Sequence, residues 1–224
     1  MSLLNNRVSA GVIHGLFRLT SRCRFIGLER LPPRGMPCVL AAAHLSHYDP
    51  VVIGALLRRE IDWLARDEFY RTAGSRWACE HASCIRIDRY GSAMRGVRDA
   101  RRRLESHRVV GVFPDGEIRR GGESVLNGAA LRGGAALLAR RAGVPIVPVV
   151  ALNADQFRRV GPWLPTRVGR LWIGVGEPIF PEQMGTDATW RSQRAALSAR
   201  LGEAMREVYR ELDEAFGLPD GVRP

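Results

Sequence analysis

The sequence predicts an α/β fold in which a mixed, partly parallel sheet is flanked by helices. Short segments rich in Val, Ile and Leu alternate along the chain with longer segments whose apolar residues recur at helical spacing. Several of the short segments are apolar on both faces, as in strands that helices cover on both sides of a sheet. The chain has 224 residues, enough for one domain with a substantial core.

An amphipathic helix is predicted at the N-terminus. Apolar side chains recur there at three- and four-residue steps: Leu4, Val8, Val12, Leu16 and Leu19. Such a helix either packs on the domain or lies on a membrane surface, and arginines on its polar side suit the second fate. We therefore assign residues 1–21 to an N-terminal helix with possible membrane contact and residues 22–224 to the main domain.

Seven strands are predicted in the main domain, with helices between several of them. The strand candidates are residues 22–28, 37–43, 61–66, 84–88, 108–113, 145–151 and 167–175. The helix candidates are residues 50–59, 92–105, 129–142 and a long C-terminal packing helix at about 188–216. The tail after Gly217 is expected to fray.

The net charge of +11 comes from arginine, because the sequence contains no lysine. An excess of cations favours an anionic partner such as phospholipid, nucleic acid or a phosphorylated substrate. Helix 92–105 is expected to turn Met94, Val97 and Leu104 inward. Its outer side carries five arginines and is a candidate face toward anionic lipid: Arg95, Arg98, Arg101, Arg102 and Arg103.

Cysteine spacing and hydropathy bear on the compartment. The four cysteines form no CxxC pair, and the N-terminus does not match a secretory signal, so a reduced cytosolic setting is predicted. The longest nearly apolar stretch, residues 143–152, has about half of the roughly 20 residues that a spanning helix needs. No transmembrane segment is expected.

The segment AAAHLSHYDP, residues 41–50, ends an apolar strand with three ionisable side chains. Asp49 before Pro50 fits the N-cap of the following helix. If the chain curls between strand and helix, the same carboxylate can also hold the imidazole of His44. A histidine oriented by an acid at the carboxyl end of a strand is the arrangement of a general base that takes a proton from a hydroxyl.

Three other interpretations fit the same segment. A metal site would use His44, His47 and Asp49, but no second cluster with the usual ligand spacing accompanies them, so no metal and no bound cofactor are expected. Ser46 as a nucleophile would lack the GxSxG turn that exposes such a serine. His47 also fits an ordinary polar loop.

Two further segments place charged residues directly after predicted strands. In FPDGEIRRGG, residues 113–122, a turn is followed by Arg119 and Arg120, which suit a loop around a phosphate. In CIRIDRYGS, residues 84–92, Arg89 stands at the strand end near a turn. Each segment also fits a solvated turn or edge.

The order of these blocks along the chain resembles the glycerolipid acyltransferase family, typified by lysophosphatidic acid acyltransferases. The blocks are AAAHLSHYDP, IDWLARDEFY, CIRIDR, FPDGEIRR and GVPIVPVVAL, within residues 28–180. The resemblance implies an αβ sandwich in which His44 deprotonates the acceptor hydroxyl and Asp49 supports the imidazole. The alkoxide would attack an acyl thioester on coenzyme A or acyl carrier protein.

The resemblance also implies where the acceptor binds. In the family, the arginine that ends the block matched by CIRIDR and the residues of the block matched by FPDGEIRR are associated with the acceptor's phosphate. Asp115, in FPDGEIRR, stands where the family usually has glutamate. The acceptor-binding residues implied in this way are Arg89, Asp115, Gly116, Arg119 and Pro148.

The FPDGEIRR block departs from the family pattern. Glu117 and Ile118 replace the usual Thr and Arg, and the arginines are displaced to positions 119 and 120. A carboxylate beside a desolvated phosphate costs several kcal/mol, by an order-of-magnitude Coulomb estimate. An acceptor other than lysophosphatidic acid therefore enters consideration, such as another lysolipid, an amino-acid-based lipid or a glycolipid hydroxyl.

The sequence thus predicts an O-acyltransferase of phospholipid metabolism, peripheral on the cytoplasmic face of the membrane. Its expected partners are a lipid acceptor, acyl-CoA or acyl-acyl carrier protein, and an anionic membrane surface, without nucleic acid. Activity should rise with pH through about 6 to 7, where an ordinary imidazole loses its proton. The alternative is a catalytically inactive cationic protein that binds anionic membrane or nucleic acid, although the aromatic residues form no stacking platform.

Overall fold

The computed structural model describes Gly15 and residues 21–88, 93–159, 169–181 and 189–224. The N-terminal helix predicted for residues 1–21 and the predicted site residue Arg89 lie outside this part of the chain, apart from Gly15 and Ser21. The described segments form one seven-stranded sheet with helices on both faces. The predicted fold class is therefore confirmed.

The strands lie close to where the sequence predicted them. They are β1 (Ser21–Ile26), β2 (Cys38–Ala42), β3 (Ile61–Arg66), β4 (Ile85–Ile87), β5 (Val109–Val112), β6 (Ile146–Leu152) and β7 (Gly169–Val175). Their order in the sheet is β1-β7-β6-β2-β5-β3-β4. All neighbouring pairs are parallel except β6 and β7, which are antiparallel.

Five longer helices are described. They are α1 (Asp49–Leu57), α2 (Ala73–His81), α3 (Ala93–Glu105), α4 (Gly134–Ala142) and α5 (Trp190–Phe216). Helix α2 was not predicted, because its sequence AGSRWACEH is largely small and polar. Helix α4 begins five residues later than predicted, because a short turn at Val125–Asn127 ends at Gly128 with φ +100°.

Both faces of the central strands are buried. In β2, Val39 and Ala41 join one apolar cluster, while Leu40 joins another on the opposite face. Helices α3, α4 and α5 supply side chains to the first cluster, and α1 supplies side chains to the second. This two-sided cover explains why the central strands are apolar throughout rather than alternating.

The C-terminal segment and helix α3 correct two expectations. Leu218 is buried and its N–H donates to Oδ1 of Asp213 at 2.9 Å, so the chain after Gly217 packs on the domain. Met94 was expected to face inward from α3 but is 44% exposed. None of the described helices, including the 27-residue α5, is long and apolar enough to cross a bilayer.

The strand order brings distant segments of the chain to one edge of the sheet. Strands β2, β5, β3 and β4 are adjacent and parallel, so their carboxyl ends lie at the same edge. His44 follows β2 and Phe113 follows β5 at this edge. Ligands of open parallel sheets bind at such an edge, outside the carboxyl ends of the strands.

Candidate active site

His44 and Asp49 meet at the end of β2, as expected from the sequence. Nδ1 of His44 lies 3.2 Å from Oδ2 of Asp49, whose side chain is fully buried. Residues 43–48 have irregular or turn structure, and this break between strand and helix lets side chains five residues apart come together. When the proton is on Nδ1, facing the carboxylate, Nε2 of the imidazole is left as a proton acceptor.

The carboxylate of Asp49 accepts hydrogen bonds from the loop before α1 and does not cap the helix. Its Oδ2 accepts hydrogen bonds from the backbone N–H groups of Leu45 and Ser46, both at 2.8 Å. Tyr48 occupies the N-cap position without a side-chain cap bond, and Asp49 is the first residue of α1. The N-cap interpretation of Asp49 was therefore wrong, and its carboxylate is held in place by the loop that carries His44.

An aromatic stack holds the face of the imidazole. The ring centroids of His44 and Phe113 are 4.1 Å apart with an interplanar angle of 24°, and those of Phe113 and Trp63 are 4.6 Å apart at 9°. Gly111 of β5 makes room for Trp63, because a Cβ there would lie 2.4 Å from Cε3 of the indole. The plane of His44 is thus set by side chains from two neighbouring strands.

The loop after β5 fastens the loop that carries His44. Oδ2 of Asp115 accepts from the His44 N–H at 3.1 Å, and the N–H of Arg119 donates to the His44 carbonyl at 3.0 Å. The Arg120 guanidinium donates to the Leu45 carbonyl at 2.9 Å and pairs with Asp155. The segments AAAHLSHYDP and FPDGEIRR therefore form one structural unit around His44.

Asp115 is a buried carboxyl group in this unit. Burial is the main cause that raises the pKa of Asp115, while hydrogen bonds from backbone N–H groups partly oppose the shift. The sequence assigned Asp115 to the acceptor site. Its described contacts are with the backbone of the site, so it positions His44.

A cavity of about 340 Å³ opens beside His44. Its walls are mostly apolar and come from the carboxyl ends of β3, β4 and β5 and from the turn Asp67–Tyr70 that follows β3. The apolar lining residues are Trp63, Leu64, Ala65, Phe69, Ile87, Val112 and Phe113. Arg66, Arg132 and the two histidines His44 and His47 supply its charged or polar lining. A mostly apolar pocket with a few polar groups suits a ligand with a hydrocarbon part.

The remaining residues predicted for the acceptor site fall in different places. Gly116 lines the cavity and has φ +82°. The guanidinium of Arg119 is paired with Glu117, with Nη2 2.8 Å from Oε1. Pro148 lies within β6 opposite Ala41 of β2 and is not among the residues that line the cavity.

The other interpretations of the His44 segment can be compared with the geometry. Ser46 is 1% exposed, and its Oγ accepts from the Tyr48 N–H at 3.2 Å, so it stabilises a turn instead of facing the cavity. His47 does line the cavity. Among the described residues, no three His, Cys, Asp or Glu side chains converge in a way that could hold a metal ion.

Sequence reasoning did not single out Trp63 and Arg132 as site residues. No motif marks either position. Arg132 reaches the cavity because its N–H donates to the Pro114 carbonyl at 3.0 Å, which ties the segment before α4 to the end of β5. A local sequence pattern carries no signal for a contact of this kind.

Comparison with known proteins decides the family. The profile of the family described as Acyltransferase matches residues 22–152, more than half of the chain, and this span contains His44, Asp49 and the loop after β5. The chain belongs to the acyltransferase family. It is accordingly an enzyme of the O-acyltransferase class.

Two relatives of this acyltransferase support the assignment. The mouse protein "1-acyl-sn-glycerol-3-phosphate acyltransferase alpha" is 26% identical over 204 residues, which cover 90% of this chain and 68% of that protein. The crystal structure of the 1-acyl-sn-glycerophosphate (LPA) acyltransferase PlsC from Thermotoga maritima is similar with a TM-score of 0.62 at 20% identity. That match covers 88% of this chain and 80% of PlsC, and it supports the fold.

Proposed function

We propose that this acyltransferase moves a fatty acyl group from an acyl thioester, on coenzyme A or acyl carrier protein, to a hydroxyl of a lysophospholipid or related lipid. The observation that carries the proposal is the 3.2 Å contact between His44 and Asp49 beside a mostly apolar cavity. The names of the mouse and Thermotoga relatives, which act on acylglycerol phosphates, support the acceptor class.

His44 acts as the general base in this proposal. Its Nε2 takes the proton of the acceptor hydroxyl while the oxygen attacks the thioester carbonyl carbon. The resulting tetrahedral intermediate expels the thiolate, and the imidazolium returns its proton to the leaving sulfur. An ester and a free thiol are formed, and His44 is neutral again for the next cycle.

Asp49 supports His44 without taking its proton. Its carboxylate keeps the imidazole in the tautomer whose Nε2 is free, and it stabilises the positive charge that develops on the ring. The backbone bonds to Asp49 and the stack on Phe113 restrict both side chains before substrate arrives. Because His44 is already oriented, the reaction does not lose the conformational entropy that fixing a mobile base would require.

The proposal extends to the membrane. The lipid acceptor resides in a bilayer, so the enzyme must meet a membrane surface, and we assign it to the cytoplasmic face as a peripheral protein. Three exposed arginines of α3 support the proposal that the protein binds an anionic membrane surface: Arg95, Arg98 and Arg102. These three have no ion-pair partner within the described segments, whereas Arg101 pairs with Glu105 and Arg103 with Asp62.

Replacement of His44 tests the function. We expect His44→Ala to slow the release of free thiol from acyl-CoA with lysophospholipid by about 10²- to 10⁴-fold, because the base is lost. His107→Asn is a matched control, since His107 is exposed at φ +58°, a backbone conformation that asparagine tolerates. Circular dichroism of both variants checks their folding.

Two outcomes would contradict the proposed function. Thiol release by folded His44→Ala that stays within about threefold of the original rate would remove His44 from the mechanism. Salt-sensitive binding to DNA or anionic vesicles, with no thiol release from either acyl donor, would favour a cationic binding protein that kept the fold without the chemistry.

A further inference from the structure

Arg132 is held against the loop after β5. Its N–H bonds the Pro114 carbonyl, and its side chain lies over Gly116, where a Cβ would come within 2.9 Å of Nε. A side chain at position 116 would displace the guanidinium from this position, and the φ of +82° favours glycine independently. The guanidinium is thus placed at the wall of the cavity that contains His44.

Glu117 stands between two guanidinium groups. Its Oε1 is 2.8 Å from Nη2 of Arg119 and 3.6 Å from Nη2 of Arg132. The hydrogen bond from Arg119 and the positive charges of both arginines lower the pKa of Glu117, so its carboxylate is ionised near neutral pH. The shorter contact shows that Arg119 is its main partner.

Arg132 is consequently the less compensated of the two described arginines that line the cavity. Arg66 has a partner of its own, with Nε 2.8 Å from Oε2 of Glu68. Among the described residues, the only carboxylate near the Arg132 guanidinium is that of Glu117, at the longer distance of 3.6 Å and already used by Arg119. Its planar guanidinium offers five N–H donors, and several remain for a ligand.

We propose that Arg132 binds the anionic group of the acceptor lipid, and that Glu117 makes this site prefer a head group with one negative charge. The favoured acceptor is a lysolipid with a phosphodiester, rather than one with a terminal phosphomonoester. This inference rests on the proposed function, because it specifies which lysophospholipid receives the acyl group.

The preference follows from charge. A phosphomonoester carries about −1.5 to −2 near pH 7, because its second pKa is close to 6, whereas a phosphodiester carries one charge. Both anions are attracted by Arg132, but the second charge of the monoester also meets the carboxylate of Glu117. Arg119 neutralises part of the Glu117 charge, but its Nη2 is 2.8 Å from Oε1 of Glu117 and is therefore not available to bond the second phosphate oxygen.

The test compares three acceptors with one acyl-CoA: lysophosphatidylglycerol, lysophosphatidic acid and uncharged monoacylglycerol. We expect the unmodified enzyme to have a kcat/KM at least about tenfold higher for lysophosphatidylglycerol than for lysophosphatidic acid. Glu117→Gln should shift this ratio at least about tenfold toward lysophosphatidic acid, mainly through KM, because the repelling charge is gone while size and shape are kept.

The role of Arg132 is tested separately, by the KM values of its variants for the three acceptors. Arg132→Gln should raise KM for both charged acceptors about tenfold or more and leave KM for monoacylglycerol within about threefold, because only the charged head groups lose a partner. Arg132→Lys should restore part of the loss. Arg200→Gln is a matched control on α5, where Arg200 pairs with Glu207 and is exposed.

Each failure has a distinct signature. The inference is overturned if lysophosphatidic acid is the better acceptor of the unmodified enzyme, or if Glu117→Gln changes the ratio by less than about threefold. It is also overturned if Arg132→Gln weakens all three acceptors equally, since that pattern indicates a structural role. Absence of thiol release with every acceptor would instead refute the proposed function, and the inference with it.

Discussion

The carboxylate of Asp49 makes its described contacts through one oxygen. Oδ2 receives two backbone N–H groups and faces Nδ1 of His44, whereas Oδ1 is buried with no hydrogen-bond partner among the described residues. A buried anion needs several donors to remain charged. The two amides of the loop thus hold in place the negative charge that orients His44.

Asp49→Asn tests this arrangement. The side chain keeps its size and its oxygen can still accept from the two loop N–H groups, but the negative charge that stabilises the imidazolium of His44 is lost. We expect kcat to fall by about 10²- to 10⁴-fold, with KM for acyl-CoA within about threefold. Steady-state kinetics at matched folding, checked by circular dichroism, measure the effect.

Ser46→Ala is the companion variant for the loop. It removes the hydroxyl that accepts from the Tyr48 N–H, so we expect a loss of unfolding free energy of about 1 kcal/mol and a rate within about tenfold of the original. A loss of rate as large as that of Asp49→Asn would instead support a nucleophilic serine.

Gly111 is the residue on which the aromatic stack depends. An alanine there would press on Trp63, and we expect Gly111→Ala to lower the unfolding free energy by about 1 to 3 kcal/mol and to reduce kcat by displacing Phe113. Urea denaturation and kinetics measure both effects. Gly74→Ala in α2 is the control, because the added methyl group would meet no described atom within 4 Å apart from its chain neighbours and the backbone of its own helix. An equal loss there would refute the packing argument.

At the level of the elements, a buried ion pair joins β3 to the start of β5. Asp62 is fully buried in β3, and its carboxylate receives two hydrogen bonds from Arg108, at 2.5 and 2.6 Å. Arg103 of α3 adds a third contact at 3.2 Å. The sequence placed Arg103 on an outer basic face, but this arginine helps to neutralise a buried charge.

Removal of Arg108 should therefore destabilise the fold. We expect Arg108→Ala to lower the unfolding free energy by about 3 to 5 kcal/mol, toward the lower end because Arg103 remains. Arg101→Ala removes an exposed pair with Glu105 and should change stability by less than about 1 kcal/mol. Urea denaturation compares the two variants. Equal losses of unfolding free energy would show that the buried pair with Asp62 stabilises the fold no more than the exposed pair does.

The end of α2 brings two thiols together at the cavity. Ser83 has φ +55°, the Cys84 N–H donates to the Cys79 carbonyl at 2.9 Å, and the Ser83 N–H donates to the Glu80 carbonyl at 3.3 Å. This helix ending commonly brings its third-last residue against the residue after the turn. Cys79 and Cys84 are those residues, and both line the cavity.

These thiols should react only at high pH. Burial raises the pKa of Cys84 to about 12 and also raises that of Cys79, so little thiolate exists near neutral pH. We expect alkylation by iodoacetamide to be slow at about pH 7.5 and to accelerate as pH rises toward 10. Mass spectrometry of the labelled peptides measures the two rates.

Alkylation should also inactivate the enzyme, because the added group fills the cavity. A long-chain acyl-CoA should slow the labelling if the acyl chain occupies the same space. The double variant Cys79→Ser and Cys84→Ser should resist inactivation. Rapid modification of either thiol at neutral pH, or full activity after modification, would contradict this account of the cavity.

For the whole molecule, the net charge of +11 is distributed unevenly. On α5, Arg200, Arg206 and Arg210 all pair with glutamates of the same helix. On α3, three exposed arginines have no such partner in the described part of the chain. Uncompensated cations on one face produce a stronger attraction to an anionic membrane than the same number of paired ones.

Two triple variants with the same change in net charge test this difference. We expect replacement of Arg95, Arg98 and Arg102 by Gln to weaken sedimentation with phosphatidylglycerol vesicles at least about fivefold. Replacement of Arg200, Arg206 and Arg210 by Gln should have a smaller effect. Added salt should weaken binding of the unmodified protein. Equal losses in both variants would mean that total charge, and not the α3 face, controls binding.

Local patterns were sufficient for the fold class, the seven strands and the meeting of His44 with Asp49. The spacing of nearby apolar residues predicts which face of a strand or helix is buried, and a polar segment after a buried strand indicates where the strand ends. Helix α2 was not predicted from the sequence, because its small and polar residues show no such spacing. Its existence depends on packing against the turn Asp67–Tyr70 and on its capped end.

The remaining features of the site arise from contacts between segments far apart in the chain. The stack of Trp63, Phe113 and His44 requires β2, β5 and β3 to be neighbours. The position of Arg132 over Gly116 and its contact with Glu117 require the segment before α4 to fold back on the loop after β5. Strand order is a property of the folded sheet, and no local spacing encodes it. Motif residues could therefore be recognised in the sequence, whereas the side chains that orient them and set their charge became visible only after the chain had folded.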